Sequence, residues 1–230
     1  MVLRAVFLDF GGTLADGSID WDSYYEALLG LLRGFGHSVE MRELRRAMGG
    51  ALSELERARN RNVELTFEEI YASALTKLGV HPEDEALLSI HATFRQHYRS
   101  DLYPCVEEVL EALSRRYELA LISNTMSDNP RRVLERANLL GYFRVAICSR
   151  DLGIRKPDPR IFEQVLREVG VESGEAAHVG DSVEQDMIGA SNAGLIPIWV
   201  RNEGSEPWPG YAISSICELP EFMNRLEEEM

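Results

Sequence analysis

Short apolar runs rich in β-branched residues recur along this chain, and stretches with the periodicity of amphipathic helices separate most of them. Runs of this kind are typical of strands that are buried on both faces of a sheet. The predicted strands are residues 2–8, 118–122, 144–148, 176–179 and 195–200. The predicted helices are residues 105–116, 130–140, 159–169 and 183–193. Because strands that alternate with single helices form right-handed βαβ units, the pattern predicts an α/β fold with a Rossmann-like parallel sheet and helices on both faces.

Residues 18–100 break this alternation and show only helical patterns, at residues 21–33, 41–59, 67–78 and 83–98. Glycines such as Gly34 and Gly79 mark the breaks between them. The sequence therefore predicts two domains: a Rossmann-like core of residues 1–17 and 101–230, and an inserted all-helical cap domain of residues 18–100. Such a cap would close over the strand ends, exclude water and choose the substrate.

Charge and cysteine content restrict the partners and the compartment. The formal net charge of −14 repels nucleic acid and anionic membranes, so neither is an expected partner. Cys105, Cys148 and Cys217 show no CxxC spacing and are expected to be free thiols in a reducing cytoplasm. The apolar run at residues 1–10 is too short for a signal peptide or a membrane span. These features predict a cytoplasmic enzyme and leave its oligomeric state open.

Carboxylates follow two of the predicted strands: Asp9 ends the first, and Asp181 and Asp186 follow the fourth. Ligands of an open parallel sheet bind at the carboxyl ends of its strands, so we expect these side chains to converge. Mg²⁺ prefers hard oxygen ligands and commonly takes one or two carboxylates together with substrate phosphate and water. Asp9 and Asp181 are the expected pair, while Asp186 either binds the ion or braces Lys156.

Groups that can hold a phosphate lie near the same strand ends. Only Lys77 and Lys156 are lysines among the 24 basic residues, and Lys156 supplies a compact positive charge. The glycine-rich turn after the first strand can present backbone amides to an anion, and the end of the second strand offers a hydroxyl and an amide before a helix. The predicted substrate-binding residues are Gly12, Thr13, Ser123, Asn124 and Lys156.

The histidines are given no catalytic role. His178 lies inside the fourth predicted strand and is expected to pack in the core. His91 and His97 suit the surface of a helix and lack the spacing of metal ligands.

With these motifs the chain resembles the haloacid dehalogenase (HAD) superfamily, in the branch of phosphatases and dehalogenases that carry a helical cap after the first strand. The resemblance covers nearly the whole chain and rests on residues 9–14, 123–124, 156–157 and 180–186. It implies that Asp9 is a nucleophile that forms an aspartyl-phosphate, with Lys156 as its catalytic partner. It also implies that the backbone carbonyl of Gly11 joins Asp9 and Asp181 at Mg²⁺, and that Ser123 and Lys156 hold the phosphate. The implied activity is magnesium-dependent hydrolysis of a small phosphorylated metabolite.

Gly11 departs from the family pattern. Most phosphatases of the family carry at this position a second aspartate, which protonates the leaving group and activates water. Such acid–base help is typically worth ~10²–10⁴-fold in rate. Three interpretations follow: a phosphatase with a substitute proton donor or an undemanding leaving group, a 2-haloacid dehalogenase, or a catalytically impaired phosphate-binding regulatory module. Asp181 favours the phosphatase, because dehalogenases of the family use no metal and lack that carboxylate.

Overall fold

The computed structural model of the protein describes residues 2–201 and 208–229. The chain forms two compact units. The first consists of Met1–Asp16 and Asp101–Met230, and the second of Gly17–Ser100. The roles predicted for these segments, a catalytic core and a cap, stay predictions.

The described part of the chain contains eight strands and ten α-helices. The strands are β1 (Ala5–Leu8), β2 (Ala15–Ile19), β3 (Tyr98–Leu102), β4 (Glu118–Ser123), β5 (Phe143–Cys148), β6 (Ala176–Gly180), β7 (Ile196–Val200) and β8 (Tyr211–Ile213). The helices are α1 (Trp21–Gly34), α2 (Met41–Arg59), α3 (Phe67–Lys77), α4 (Asp84–His97), α5 (Val106–Ser114), α6 (Asn129–Arg136), α7 (Ser149–Leu152), α8 (Pro159–Val169), α9 (Gly189–Asn192) and α10 (Leu219–Glu229). A π-helical segment, Val183–Ile188, leads directly into α9. None of the described helices combines the length and the apolar character needed to cross a membrane.

Six strands of the first unit form one sheet in the order β5-β4-β1-β6-β7-β8, and all of its described strand pairs are parallel. The strand β1 lies inside the sheet, between β4 and β6. Every residue of β1 and β6 is buried, which explains why β1 is a continuous apolar run and why β6 interrupts its small apolar residues only with the buried His178. The predicted α/β fold with a Rossmann-like parallel sheet is confirmed.

Side chains of β1 alternate between two hydrophobic clusters, one on each face of the sheet. Val6 and Leu8 belong to a cluster that includes residues of α5 and α10. Ala5 and Phe7 belong to the other cluster, which includes residues of α8. Complete burial of a Leu or Phe side chain contributes ~1.5–3 kcal/mol, so both faces of β1 stabilise the sheet.

The second unit contains α1 to α4, at the four stretches that the sequence predicts as helical. Side chains cap two of these helices: Asp20 accepts hydrogen bonds from backbone amides at the start of α1, and Thr66 does so for α3. The core of the unit contains both aliphatic and aromatic side chains, and the buried Tyr24 hydroxyl donates to the Tyr71 hydroxyl at 2.7 Å.

The structure corrects two expectations for this segment. The strands β2 and β3 pair with each other and extend into residues 18–100, where no strand was expected. Their polar sequences carry no apolar run that would reveal them. The surface position expected for His91 is also wrong: the residue is buried, its ring stacks on Phe67 at 4.1 Å, and Nδ1 lies 3.0 Å from Glu68 Oε1.

Cys105 and Cys217 form a disulfide across a sequence separation of 112 residues. The expectation of free thiols is therefore wrong for both, whereas Cys148 is free and buried. Cys105 precedes α5 and Cys217 lies in a short turn before α10, and these two helices pack together. Since the prediction of a reducing cytoplasm rested on free thiols, it loses that support.

Candidate active site

The carboxyl ends of adjacent strands bring Asp9, Ser123 and Asp181 to one edge of the sheet. Leu8, the last residue of β1, is in register with Val179 of β6. The backbone amide of Asp9 donates to the carbonyl of Val179 at 2.9 Å. Neighbouring strands lie about 4.8 Å apart, so residues remote in sequence meet here, as the sequence predicts.

The Lys156 side chain lies buried at this edge, with 2% of the residue exposed. Its Nζ is 2.6 Å from Asp9 Oδ1 and 2.5 Å from Asp186 Oδ1. Burial alone would lower the pKa of the ammonium, but the carboxylates of Asp186 and Asp9 outweigh burial and raise it. Lys156 therefore carries a positive charge at neutral pH, in contact with Asp9 and Asp186.

Asp186 is held by donors from three sides. Its Oδ1 accepts from Lys156 Nζ and from His178 Nε2, the latter at 2.9 Å, and its Oδ2 accepts from the backbone amide of Ser182 at 3.0 Å. Burial would raise the pKa of this carboxyl, yet Lys156 and His178 hold it below its ordinary value. Of the two roles predicted for Asp186, these contacts favour the brace for Lys156, and direct metal binding stays a prediction.

Asn124 fixes the backbone of Lys156. Its Oδ1 accepts from the Lys156 amide at 2.9 Å, while Nδ2 donates to the Lys156 carbonyl and to Gln185 Oε1, both at 2.8 Å. Both hydrogens of the side-chain amide are thus used within the protein, and the predicted substrate contact of Asn124 finds no support in them. Sequence reasoning missed this arrangement because its partners lie 32 and 61 residues away.

The turn after Asp9 depends on Gly12. Gly12 has φ +75°, and a Cβ at this position would lie 2.2 Å from Asp181 Oδ2. Its amide donates to the Ala15 carbonyl at 2.8 Å, so this amide is not presented to an anion as the sequence suggested. The buried Thr13 places Oγ1 3.5 Å from Asp9 Oδ2. The turn therefore shapes the site through close packing, and substrate binding by Gly12 and Thr13 stays a prediction.

The carboxylates of Asp9, Asp181 and Asp186 form a cluster in which one oxygen of each lies within 4.8 Å of the others. Burial raises the pKa of Asp9 to about 7. The carboxylates of Asp186 and Asp181 also raise this pKa, whereas the Lys156 ammonium lowers it. Three acids beside one ammonium leave an excess of negative charge. Hard carboxylate oxygens in this number suit a divalent cation such as Mg²⁺. The residues present therefore fit the predicted metal site, to which the carbonyl of Gly11 remains a predicted contributor.

Gly11 is exposed and borders open space. A Cβ placed on it meets no heavy atom within 4 Å, other than its chain neighbours. The position expected to hold a second aspartate is therefore not filled by another described side chain.

Sequence and structure comparisons agree on one family. A family model for haloacid dehalogenase-like hydrolases matches residues 3–194. A phosphoserine phosphatase of Thermus thermophilus is 38% identical over 157 residues, which cover 66% of this chain and 63% of that enzyme. The chain thus spans less than two thirds of the length of this curated relative.

Two solved structures are similar over nearly all of the chain. A 2-haloacid dehalogenase from Pseudomonas syringae has a TM-score of 0.67 and 26% identity, covering 98% of this chain and all of that one. A HAD phosphatase from Thermococcus onnurineus has a TM-score of 0.65 and 26% identity, covering 96% and 98% of the two chains.

Proposed function

Because this chain belongs to the haloacid dehalogenase-like hydrolase family, we propose that it hydrolyses a small phosphate monoester with Asp9 as the nucleophile. The phosphatase relatives and the acidic cluster at the strand ends support this proposal. The observation that carries it is the position of Asp9, which lies 2.6 Å from a buried ammonium and within 4.8 Å of two further carboxylates.

The proposed reaction has two displacements at phosphorus. An oxygen of Asp9 attacks the phosphorus, the bond to the leaving oxygen breaks, and the phosphoryl group is transferred to Asp9. Water then attacks the same phosphorus, the bond to Asp9 breaks, and phosphate leaves. The proton that the water loses balances the one that the leaving alkoxide gains. Lys156 orients Asp9 throughout and offsets negative charge that develops on the phosphoryl oxygens.

We propose Asp9 and Asp181 as the protein carboxylates that hold Mg²⁺, with the carbonyl of Gly11 beside them. When bound, the ion would neutralise the phosphate and keep Asp9 ionised. In this assignment Asp186 does not bind the ion and instead accepts a hydrogen bond from Lys156, which holds the ammonium in place. The cluster favours a polyanionic substrate, since hydrolysis of a carbon–halogen bond needs no cation.

Gly11 bears on the class of phosphate ester. With no carboxyl at this position, a poor leaving group lacks the proton donor that most phosphatases of the family carry there. We expect aryl and acyl phosphates to be cleaved about 100-fold faster than alkyl phosphates, since general acid help is typically worth ~10²–10⁴-fold. A Cβ at Gly11 meets no other atom within 4 Å, so we expect Gly11→Asp to be tolerated and to raise the rate on alkyl phosphates most.

A second candidate is the hydrolysis of a 2-haloacid. Gly11 favours it because a halide leaves without a proton, and a 2-haloacid dehalogenase is among the similar structures. The carboxylate of Asp181 beside Asp9 argues against it.

One screen separates the candidates. Aryl, acyl and alkyl phosphates and 2-chloroacids would be incubated with and without Mg²⁺, and release of phosphate or chloride would be measured, with Asp9→Asn as the inactive control. Phosphate release that needs both Mg²⁺ and Asp9 is expected. Chloride release without Mg²⁺ would overturn the assignment, and equal rates for all phosphate esters would refute the argument from Gly11.

A further inference from the structure

His178 is a completely buried histidine of β6 whose ring contacts the acidic cluster through one nitrogen. Its Nε2 lies 2.9 Å from Asp186 Oδ1, the same oxygen that accepts from Lys156 Nζ. The ring packs edge-on against Phe162 at 5.0 Å. The proposed function gives His178 no part in the reaction, although it is one bond away from the groups that carry it.

The direction of this hydrogen bond follows from the chemistry of its partners. An ionised carboxylate only accepts, so Nε2 must carry the hydrogen. Nδ1 is buried and has no hydrogen-bond partner among the described residues. An acceptor without a partner is consistent with this tautomer, in which Nε2–H is donated to Asp186.

Hydrogen-bond donors and close packing hold the Asp186 carboxylate in one orientation. Three donors hold its two oxygens: the Lys156 ammonium, the His178 ring and the Ser182 amide. Gly180 lies so close that a Cβ there would be 2.3 Å from Asp186 Cγ. Without the bond from His178, the flexible lysine side chain would be the one remaining donor to Oδ1 among the described residues.

We propose that His178 is a positioning residue that keeps Asp186 directed at Lys156 and away from the divalent cation. Lys156 Nζ is thereby held 2.6 Å from Asp9, where it can meet the phosphoryl group. The inference rests on the proposed function, because it assigns His178 to the phosphate side of the site rather than to its metal side.

Three substitutions test it. Gln places an amide N–H where His has Nε2–H, whereas Asn is too short to do so and Leu offers no donor. For each variant, calorimetry would measure binding of inorganic phosphate in the presence of Mg²⁺ and of Mg²⁺ alone, together with kcat and KM. Since a hydrogen bond to a charged group is strong, we expect His178→Asn and His178→Leu to weaken phosphate binding about tenfold without weakening Mg²⁺ binding. His178→Gln should stay within about threefold of the wild type on the same ground.

His91 provides a matched control in the other unit. It is also buried and its ring also faces a carboxylate, with Nδ1 3.0 Å from Glu68 Oε1. His91→Leu should lower thermal stability and leave phosphate binding unchanged. If His178→Leu weakens phosphate binding no more than His91→Leu, loss of stability explains the effect and the inference fails.

The wild-type protein gives a further readout that needs no variant. A ¹H–¹⁵N spectrum of the histidine rings should show His178 with a hydrogen on Nε2 and none on Nδ1. The opposite tautomer would overturn the inference even if every variant failed to fold. If folded His178→Asn binds phosphate like the wild type, the inference about His178 is refuted and the proposed function stands. If the wild-type protein neither binds phosphate nor hydrolyses any ester, both the inference and the proposed function are refuted.

Discussion

Removing the disulfide should cost the first unit much of its stability. Cys217→Ser opens a covalent loop whose ends are 112 residues apart. In the chain-entropy treatment the closure entropy is about −2.1 − 1.5R ln n, which for this loop gives about −16 cal/mol/K and ~4.8 kcal/mol at 298 K. Domains are stable by only ~5–15 kcal/mol, so this is a large fraction.

The assay is urea unfolding followed by far-UV circular dichroism, without reductant. The control is the wild-type protein, in which the disulfide is intact. A free energy of unfolding for Cys217→Ser within about 1 kcal/mol of the control would refute the entropic reasoning.

Thiol counting checks the pairing independently. Wild-type protein unfolded without reductant should show one reactive thiol, and reduced protein should show three. In the folded protein the remaining thiol should react slowly at pH 8, because burial raises the pKa of Cys148 to about 12 and leaves little thiolate. Three thiols without reduction would show that the disulfide is absent.

Three further substitutions test the site, and Gly11→Ala serves as the control for one of them. Lys156→Met leaves two buried carboxylates without their ammonium and should destabilise the protein by ~3–5 kcal/mol, which thermal unfolding without Mg²⁺ would detect. Asn124→Ala removes three hydrogen bonds at Lys156 and Gln185 and should cost ~1–3 kcal/mol while lowering kcat, which urea unfolding and steady-state kinetics would measure. Gly12→Ala should lower the melting temperature and weaken Mg²⁺ binding, because its Cβ would overlap the Asp181 carboxylate. Gly11→Ala should keep the wild-type melting temperature, since its Cβ meets no other atom within 4 Å. Equal melting temperatures for the two variants would contradict this reasoning.

The sequence predicts the central strands well because their environment leaves a direct trace in composition. Every residue of β1 and β6 is buried, so neither strand shows the alternation of apolar and polar residues that a half-exposed strand has. The edge strand β8 has only three residues, one of them fully buried, and such a strand leaves no comparable trace. The strand β2 leaves no apolar run either, because most of its residues are exposed and polar.

The sequence predicts which residues meet at the site but not which hydrogen bonds connect them. Asp9, Lys156, Asp181 and Asp186 meet because parallel strands end at one edge, which the order of the elements already implies. The contact of His178 with Asp186 and the clamp that Asn124 forms depend on side-chain packing between distant segments. Pairing of Cys105 with Cys217 is of this kind too, since an odd number of cysteines does not identify partners.

The central place of β1 in the sheet links chemistry to the completion of the chain. The strand β1 pairs with β4 on one side and β6 on the other, and both partners come more than a hundred residues later in the chain. A growing polypeptide that ends before β6 contains Asp9 and Lys156 but lacks both acids that follow that strand. A chain without β6 and the residues that follow it therefore cannot assemble the acidic cluster around Asp9.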